Sequence, residues 1–198
     1  MFRKRRCVRA WPPSNRLATG TDIGFACRCG CLTGRLTNAR PDEGSHLVCH
    51  CADCARARTL YDDPAPGPVA VFQTTADRIR IDTGQDHLAL MQLSPNGLFR
   101  WIADCCDTQM FNTLKSPRTG FAGIVVARLS DPAPLGPVIG AGFVPGPGGK
   151  TRHHHLGRTI WRFLKRSAAA RLSGRWHQSP FFDAEGRPVA KAQLAPRR

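Results

Sequence analysis

Six residues, Cys49-His50-Cys51-Ala52-Asp53-Cys54, constrain this chain more than any others. They set a CxC motif overlapping a CxxC motif, so three thiols fall within one short stretch. Cysteines two apart are too close to bridge comfortably as a disulfide. Alternate residues of an extended segment, by contrast, point to the same side, and a two-residue turn would bring the third sulfur round. Three thiolates from one loop cap one face of a tetrahedral ion, with zinc–sulfur distances of about 2.3 Å. The fourth corner is left open or filled from elsewhere. Zinc with three protein ligands and one exchangeable position is the arrangement of a catalytic site. Cys49, Cys51 and Cys54 are therefore read as metal ligands. His50 and Asp53, in the same loop, are candidates for a donor or an acid–base group beside the metal.

The remaining cysteines follow the same habit. Cys27-Arg28-Cys29-Gly30-Cys31 is a second CxC extended by one more alternate cysteine, and Cys105-Cys106 is a third group. Of the nine cysteines only Cys7 stands alone. An isolated buried cysteine is usually a small core hydrophobe; clusters at ligand spacing read as metal sites. No secretory signal is evident, because Trp11-Pro12-Pro13 follows the basic Phe2-Arg3-Lys4-Arg5-Arg6 where an apolar run should be. The longest apolar stretch, Phe121 to Ala127, is too short to span a membrane. An odd number of cysteines without export suggests a reducing cytoplasm and ligated thiols. The expectation is a cytoplasmic protein with no membrane partner.

The net charge of +15 is unevenly spread. Residues 1–20 hold six Lys/Arg and no acid; residues 21–135 hold eleven against twelve; residues 136–198 hold twelve against two. The cysteine-bearing region is near neutral and its flanks are basic. Such ends can hold nucleic acid through phosphate contacts, or can simply be solvated.

Short apolar or alternating runs at 47–49, 69–72, 79–81, 88–91, 98–102 and 121–129 are separated by turn residues such as Asp62-Asp63-Pro64 and Pro95-Asn96-Gly97. Strands at this spacing, with no helical pattern between them, predict a mainly β chain built on antiparallel sheet. Pro132 to Gly149 reads as a linker or irregular loop. Its Gly148-Gly149-Lys150-Thr151 is no phosphate-binding loop, since Val144, Pro145 and Pro147 stand where small residues and a strand belong. Leu156, Ile160, Phe163, Leu164 and Leu172 recur at helical spacing, which predicts an amphipathic helix over 156–172 packed on the sheet. His153-His154-His155 reads as a solvated loop. The chain divides into a basic, disordered extension over 1–22, one zinc-binding domain over 23–185 that includes the 132–155 loop and the helix, and a basic tail over 186–198.

Three blocks in this order, Cys27-Arg28-Cys29-Gly30, Cys49 through Cys54, and Arg100-Trp101-Ile102-Ala103-Asp104-Cys105-Cys106-Asp107-Thr108, resemble the glutathione-dependent formaldehyde-activating enzyme family, whose domain centromere protein V shares. The family pattern is roughly CxCG, CHCxxC and RxFCxxCGT. Here Ala103 stands at the first cysteine of the third block and Asp107 at its glycine. The RWxAxCCxT segment and Pro180-Phe181-Phe182 resemble an uncharacterised bacterial branch of that family. The likeness covers about residues 25–185.

The resemblance implies a small Mss4-like zinc-binding fold with two zinc sites. Cys27, Cys29 and Cys106 would hold a structural zinc, with Cys105 or Cys31 replacing the ligand missing at Ala103. Cys49, Cys51 and Cys54 would hold a catalytic one. It also implies a carbon–sulfur lyase or synthase acting on a thiol–aldehyde adduct such as S-hydroxymethylglutathione, with glutathione as co-substrate. Three thiolates make Zn²⁺ a poor Lewis acid for water and a better host for a soft fourth ligand. A substrate thiol taking that position would be deprotonated. Glutathione carries two carboxylates, for which Arg56, Arg58 and Arg100 are the arginines nearest in sequence. Two other readings compete: a non-enzymatic zinc module whose basic ends contact nucleic acid, and a thiol redox or metal sensor using Cys105-Cys106 or Cys31.

Overall fold

The computed structural model describes residues 16–17, 20–61 and 67–196. The basic run after Met1, Cys7, most of the expected N-terminal extension and the Asp62-Asp63-Pro64 turn lie outside the described residues. In chain order the strands are β1 (Arg16–Leu17), β2 (Gly20–Ala26), β3 (Thr33–Ala39), β4 (Ser45–Cys49), β5 (Val69–Thr75), β6 (Ile79–Thr83), β7 (Leu88–Gln92), β8 (Phe99–Ala103), β9 (Thr108–Thr113), β10 (Phe121–Val125), β11 (Gly140–Pro145), β12 (Thr151–His154) and β13 (Ala192–Leu194). Two helices, α1 (Ala52–Tyr61) and α2 (Leu156–Leu172), complete the set.

The chain is mainly β. One sheet runs β1-β2-β3-β6 and the other β12-β11-β4-β5-β10-β9-β8-β7-β13. Most pairings are antiparallel, as expected, but the large sheet is mixed: β11 lies parallel to β4, and β13 parallel to β7. Residues 140–145 correct the reading of 132–149 as an irregular loop. Gly140 is what lets β11 sit there, because a Cβ at that position would stand 2.9 Å from the His154 carbonyl oxygen and 3.0 Å from Leu47. The strand predicted from Phe121 to Leu129 ends at Val125, where a 3-10 turn takes over.

The core lies between the sheets. Phe25, Leu32, Leu36, Ile79, Leu90, Trp101 and Phe111 are all buried in one cluster. β8 and β9 are covered on both faces, which their alternating neighbours would not suggest. The polar groups this buries are satisfied: Trp101 Nε1 donates to Thr113 Oγ1 at 2.9 Å, and Gln109 Nε2 to Asn112 Oδ1 at 3.0 Å. The Pro180-Phe181-Phe182 segment returns to this core. The Phe181 ring lies 5.1 Å from Trp101 and 5.2 Å from Phe111, which ties residues after α2 to the sheet.

α2 has the predicted bounds and packs on the large sheet through Phe163 against Phe121 and through buried Ala170. The rest of its apolar set faces outward, with Leu156 45%, Ile160 46%, Leu164 50% and Leu172 89% exposed. The side turned to the body instead carries Arg162, whose guanidinium donates to the Pro41 carbonyl, and Arg166, which donates to Ser45 Oγ at 3.2 Å. No helix among the described residues is long and apolar enough to cross a membrane.

Candidate metal centres

Two thiol groups form where loops meet at the ends of the sheets. The first is Cys49, Cys51 and Cys54, whose sulfurs all lie within 4.8 Å of one another. Cys49 ends β4, and its Sγ is 3.4 Å from that of Cys51. The turn expected after Cys51 is the first turn of α1. Cys51 caps that helix: its carbonyl accepts the Ala55 N–H at 3.1 Å and its sulfur accepts the Cys54 N–H at 3.3 Å. A helix N-terminus favours negative charge, so the geometry stabilises a thiolate there. Hydrogen bonds from the Cys49 and Cys54 thiols, then the Cys54 N–H and the Arg100 charge, pull Cys51 down to about 2. The same hydrogen bonds push Cys49 and Cys54 up, since their donated protons are held.

These thiols open onto a cavity of about 750 Å³. His50 and Asp53 line it, as do Arg100, Gln73, Leu98, Phe143 and Lys150. Among the described residues no fourth cysteine, histidine or carboxylate joins the three. The group could hold a metal ion with one position left open to the cavity.

Arg100 is the notable charge. It is 2% exposed, and its Nη1 donates to Asn112 Oδ1 at 3.4 Å. Among the described residues it makes no ion pair with a carboxylate, and its charge lowers both Cys51 and Cys54. A buried guanidinium needs a counter-charge, and the thiolates supply it. Arg56 and Arg58 are elsewhere. Arg56 donates to the Pro196 carbonyl at 2.8 Å and Arg58 to the Pro68 carbonyl at 3.0 Å, and neither lines the cavity. Sequence reasoning missed Lys150 and Phe143, which reach the cavity only because β11 turns into β12 beside it.

The second group is Cys27, Cys29, Cys105 and Cys106, again within 4.8 Å of one another. Sulfur separations are 3.6 Å for 27–29, 3.8 Å for 27–105, 3.4 Å for 29–105 and 3.9 Å for 105–106. A tetrahedron of thiolates about 2.3 Å from zinc has edges of about 3.8 Å, so the four fit one ion. Cys105 completes the set. Ala103, at the position of the missing cysteine, is fully buried at the end of β8. Cys31 lies outside the group, whose four members are free thiols. Arg28 ties the two loops together, donating from Nε to Thr108 Oγ1 at 3.1 Å and from Nη2 to the carbonyls of Cys106 and Asp107.

The departure at Asp107 has a physical reading. Its φ is +51°, in the left-handed region that glycine enters freely. Aspartate tolerates that region better than most residues, and the tight turn lets two adjacent cysteines face one centre. Asp107→Gly is expected to stabilise the protein by about 0.5–1 kcal/mol, and Asp107→Val to destabilise it by at least about 1 kcal/mol. Thermal unfolding of both variants checks this, with Tm moving in opposite directions.

A further group, His87, Asp104 and Cys105, overlaps the second at Cys105, with His87 Nδ1 3.2 Å from Asp104 Oδ1. Nothing in the local sequence signals it, because the 3-10 turn before β7 and the turn after β8 come together only in the fold. His153, His154 and His155 are exposed and join no metal-capable group among the described residues.

No curated protein matches the chain. Among solved structures, a crystal structure of a Rhodobacter sphaeroides protein is similar at 21% identity, covering 58% of this chain and 96% of its own, with a TM-score of 0.40. That likeness is too loose to carry an argument. A family model matches residues 20–193, and by that match the chain belongs to DUF6151, a family of unknown function.

Proposed function

We propose that the protein is a zinc-dependent carbon–sulfur lyase or synthase acting on a thiol–aldehyde adduct, with S-hydroxymethylglutathione the type of substrate the motif resemblance implies. The observation that carries this reading is the opening of three clustered thiols, without a fourth protein ligand among the described residues, onto a cavity lined by Arg100 and Lys150.

The donor set fits the metal: three sulfurs suit a soft, tetrahedral ion, and buried Arg100 offsets the excess negative charge. When bound, zinc would lower the pKa of a substrate thiol entering the open position. The chain's own residues do the rest. Cys49, Cys51 and Cys54 would hold the ion. Lys150 offers a cation to a carboxylate of a small peptide thiol, and the cavity has the volume of ordinary ligand sites. Leu98 and Phe143 give it an apolar wall that limits water. In the synthetic direction the sulfur lone pair forms a bond to the carbonyl carbon, and the carbonyl π pair becomes an O–H bond with the proton the thiol released. His50 and Asp53 line the cavity and would pass that proton. In the lytic direction the same bonds are undone.

The test is an NMR measurement of S-hydroxymethylglutathione formation from glutathione and formaldehyde by zinc-loaded protein. Acceleration over buffer is expected, lost in Cys54→Ser, and with KM raised about tenfold in Lys150→Ala. A rate equal to that in buffer overturns the proposal.

A further inference from the structure

A second cavity, of about 680 Å³, lies between α2 and the end of the large sheet where β4 begins. It touches neither cysteine group. Its lining is dominated by cations: Arg78, Arg158, Arg162, Lys165, Arg166 and Arg175, against the carboxylates Asp42 and Glu43. Four of the cations come from α2 at positions 158, 162, 165 and 166, a spacing that places them along one side of a helix.

The two carboxylates do not neutralise those four. Asp42 is paired with Arg40 at 3.4 Å. Glu43 is held by Arg40 at 3.0 Å and by Arg78 at 2.8 Å. Arg175 has its own partner, Asp77 Oδ2, at 3.3 Å. Among the described residues, no carboxylate lies within ion-pair distance of Arg158, Arg162, Lys165 or Arg166. Arg166 is the most constrained: its Nη2 meets only the neutral Ser45 hydroxyl, and its Nε is sealed from solvent without an acceptor. Burial, then the charge of Arg162, pulls it down to about 10, with the charge of Glu43 offsetting only part of that. Clustered like charges of this kind cost stability unless an anion joins them.

Trp161 lies at the same cavity and is 64% exposed. An indole face turned to solvent next to guanidinium groups suits a planar ring carried on an anion. Guanidinium forks match phosphate oxygens in pairs, which carboxylates exploit less fully with four cations to satisfy. The volume exceeds a single phosphate and lies in the range of small-ligand sites.

We propose that this cavity binds a small phosphate ester of nucleotide size, its phosphates on Arg158, Arg162, Lys165 and Arg166 and its ring stacked on Trp161. The site is independent of the metal centres, so it stands or falls apart from the lyase reading.

The experiment is calorimetric titration of the full, metal-loaded chain with ADP and, separately, with inorganic pyrophosphate. Both should bind. The double variant Arg158→Ala/Lys165→Ala removes two exposed side chains that pair with no carboxylate among the described residues, so folding should be retained, and both ligands should weaken at least tenfold. Trp161→Ala should weaken ADP about tenfold and leave pyrophosphate unchanged. Absence of binding by both ligands, or binding unaffected by the double variant, overturns the proposal. So does binding of a single-stranded oligonucleotide or of phosphatidylglycerol vesicles without binding of ADP, since the phosphate would then belong to a polymer or a lipid surface.

Discussion

Cys27→Ser is expected to unfold the protein at ambient temperature or reduce its stability by most of its total. Cys27 is buried between β2 and the turn, and its sulfur accepts the Leu32 N–H at 3.3 Å while facing Cys29 and Cys105. Four thiols from two loops 78 residues apart meet there. Without an ion, desolvation and neighbouring thiols push Cys105 above the range of an ordinary thiol, and the loops are held by Arg28 and packing alone. Structural zinc sites contribute about 10–16 kcal/mol of apparent binding free energy, against a total stability of about 5–15 kcal/mol for a folded domain. Losing one ligand therefore removes an amount comparable to the whole. Chelation of the wild type should act in the same direction. Circular dichroism against temperature, with and without chelator, reads both effects.

Arg100→Met is expected to weaken metal binding at the three-thiol group by about two to three orders of magnitude while leaving the four-thiol group filled. The substitution keeps an apolar stem of similar length in a buried slot and deletes only the charge. Truncating one member of a buried charge pair costs about 3–5 kcal/mol. The pH dependence follows from the shifts. Cys51 is already a thiolate at neutral pH, whereas Cys49 and Cys54, raised by the hydrogen bonds they donate, must lose protons for an ion to bind. Affinity therefore rises with pH and is lost on acidification. Arg100 lowers Cys51 and Cys54, so its removal raises both and moves the pH of half-loading upward. Competition titrations with a chromophoric chelator between mildly acidic and mildly basic pH measure that midpoint.

Much of this was legible in the sequence because ligand spacing is local. Cys49, Cys51 and Cys54 sit on one strand end and one helix start, and any fold that keeps the segment keeps them together. Joining Cys27 and Cys29 to Cys105 and Cys106 needed the motif order, since nothing local reports that the β2–β3 turn meets the β8–β9 turn. Strands such as β5 and β7 show clear apolar runs. β9 does not, because Gln109, Asn112 and Thr113 are buried polar residues paired inside the sheet. α1 has no apolar stripe; only Cys54 and Ala57 are buried, and its position is set by the cysteines at its start. β11 is hidden by its glycines, of which Gly140 allows close approach to β12 and β4. α2 shows the reverse limit. Its periodicity predicts the helix to the residue, but amphipathicity alone does not say which face turns inward, and here arginines share the inner face.

The central claim is that this fold holds two thiolate metal sites of different kinds, and the metal content of purified wild-type protein and of Cys54→Ser tests it most directly. The account predicts about two zinc per chain in the wild type and about one in the variant, with the variant still folded. No bound metal in the wild type, or equal content in both proteins, would contradict it.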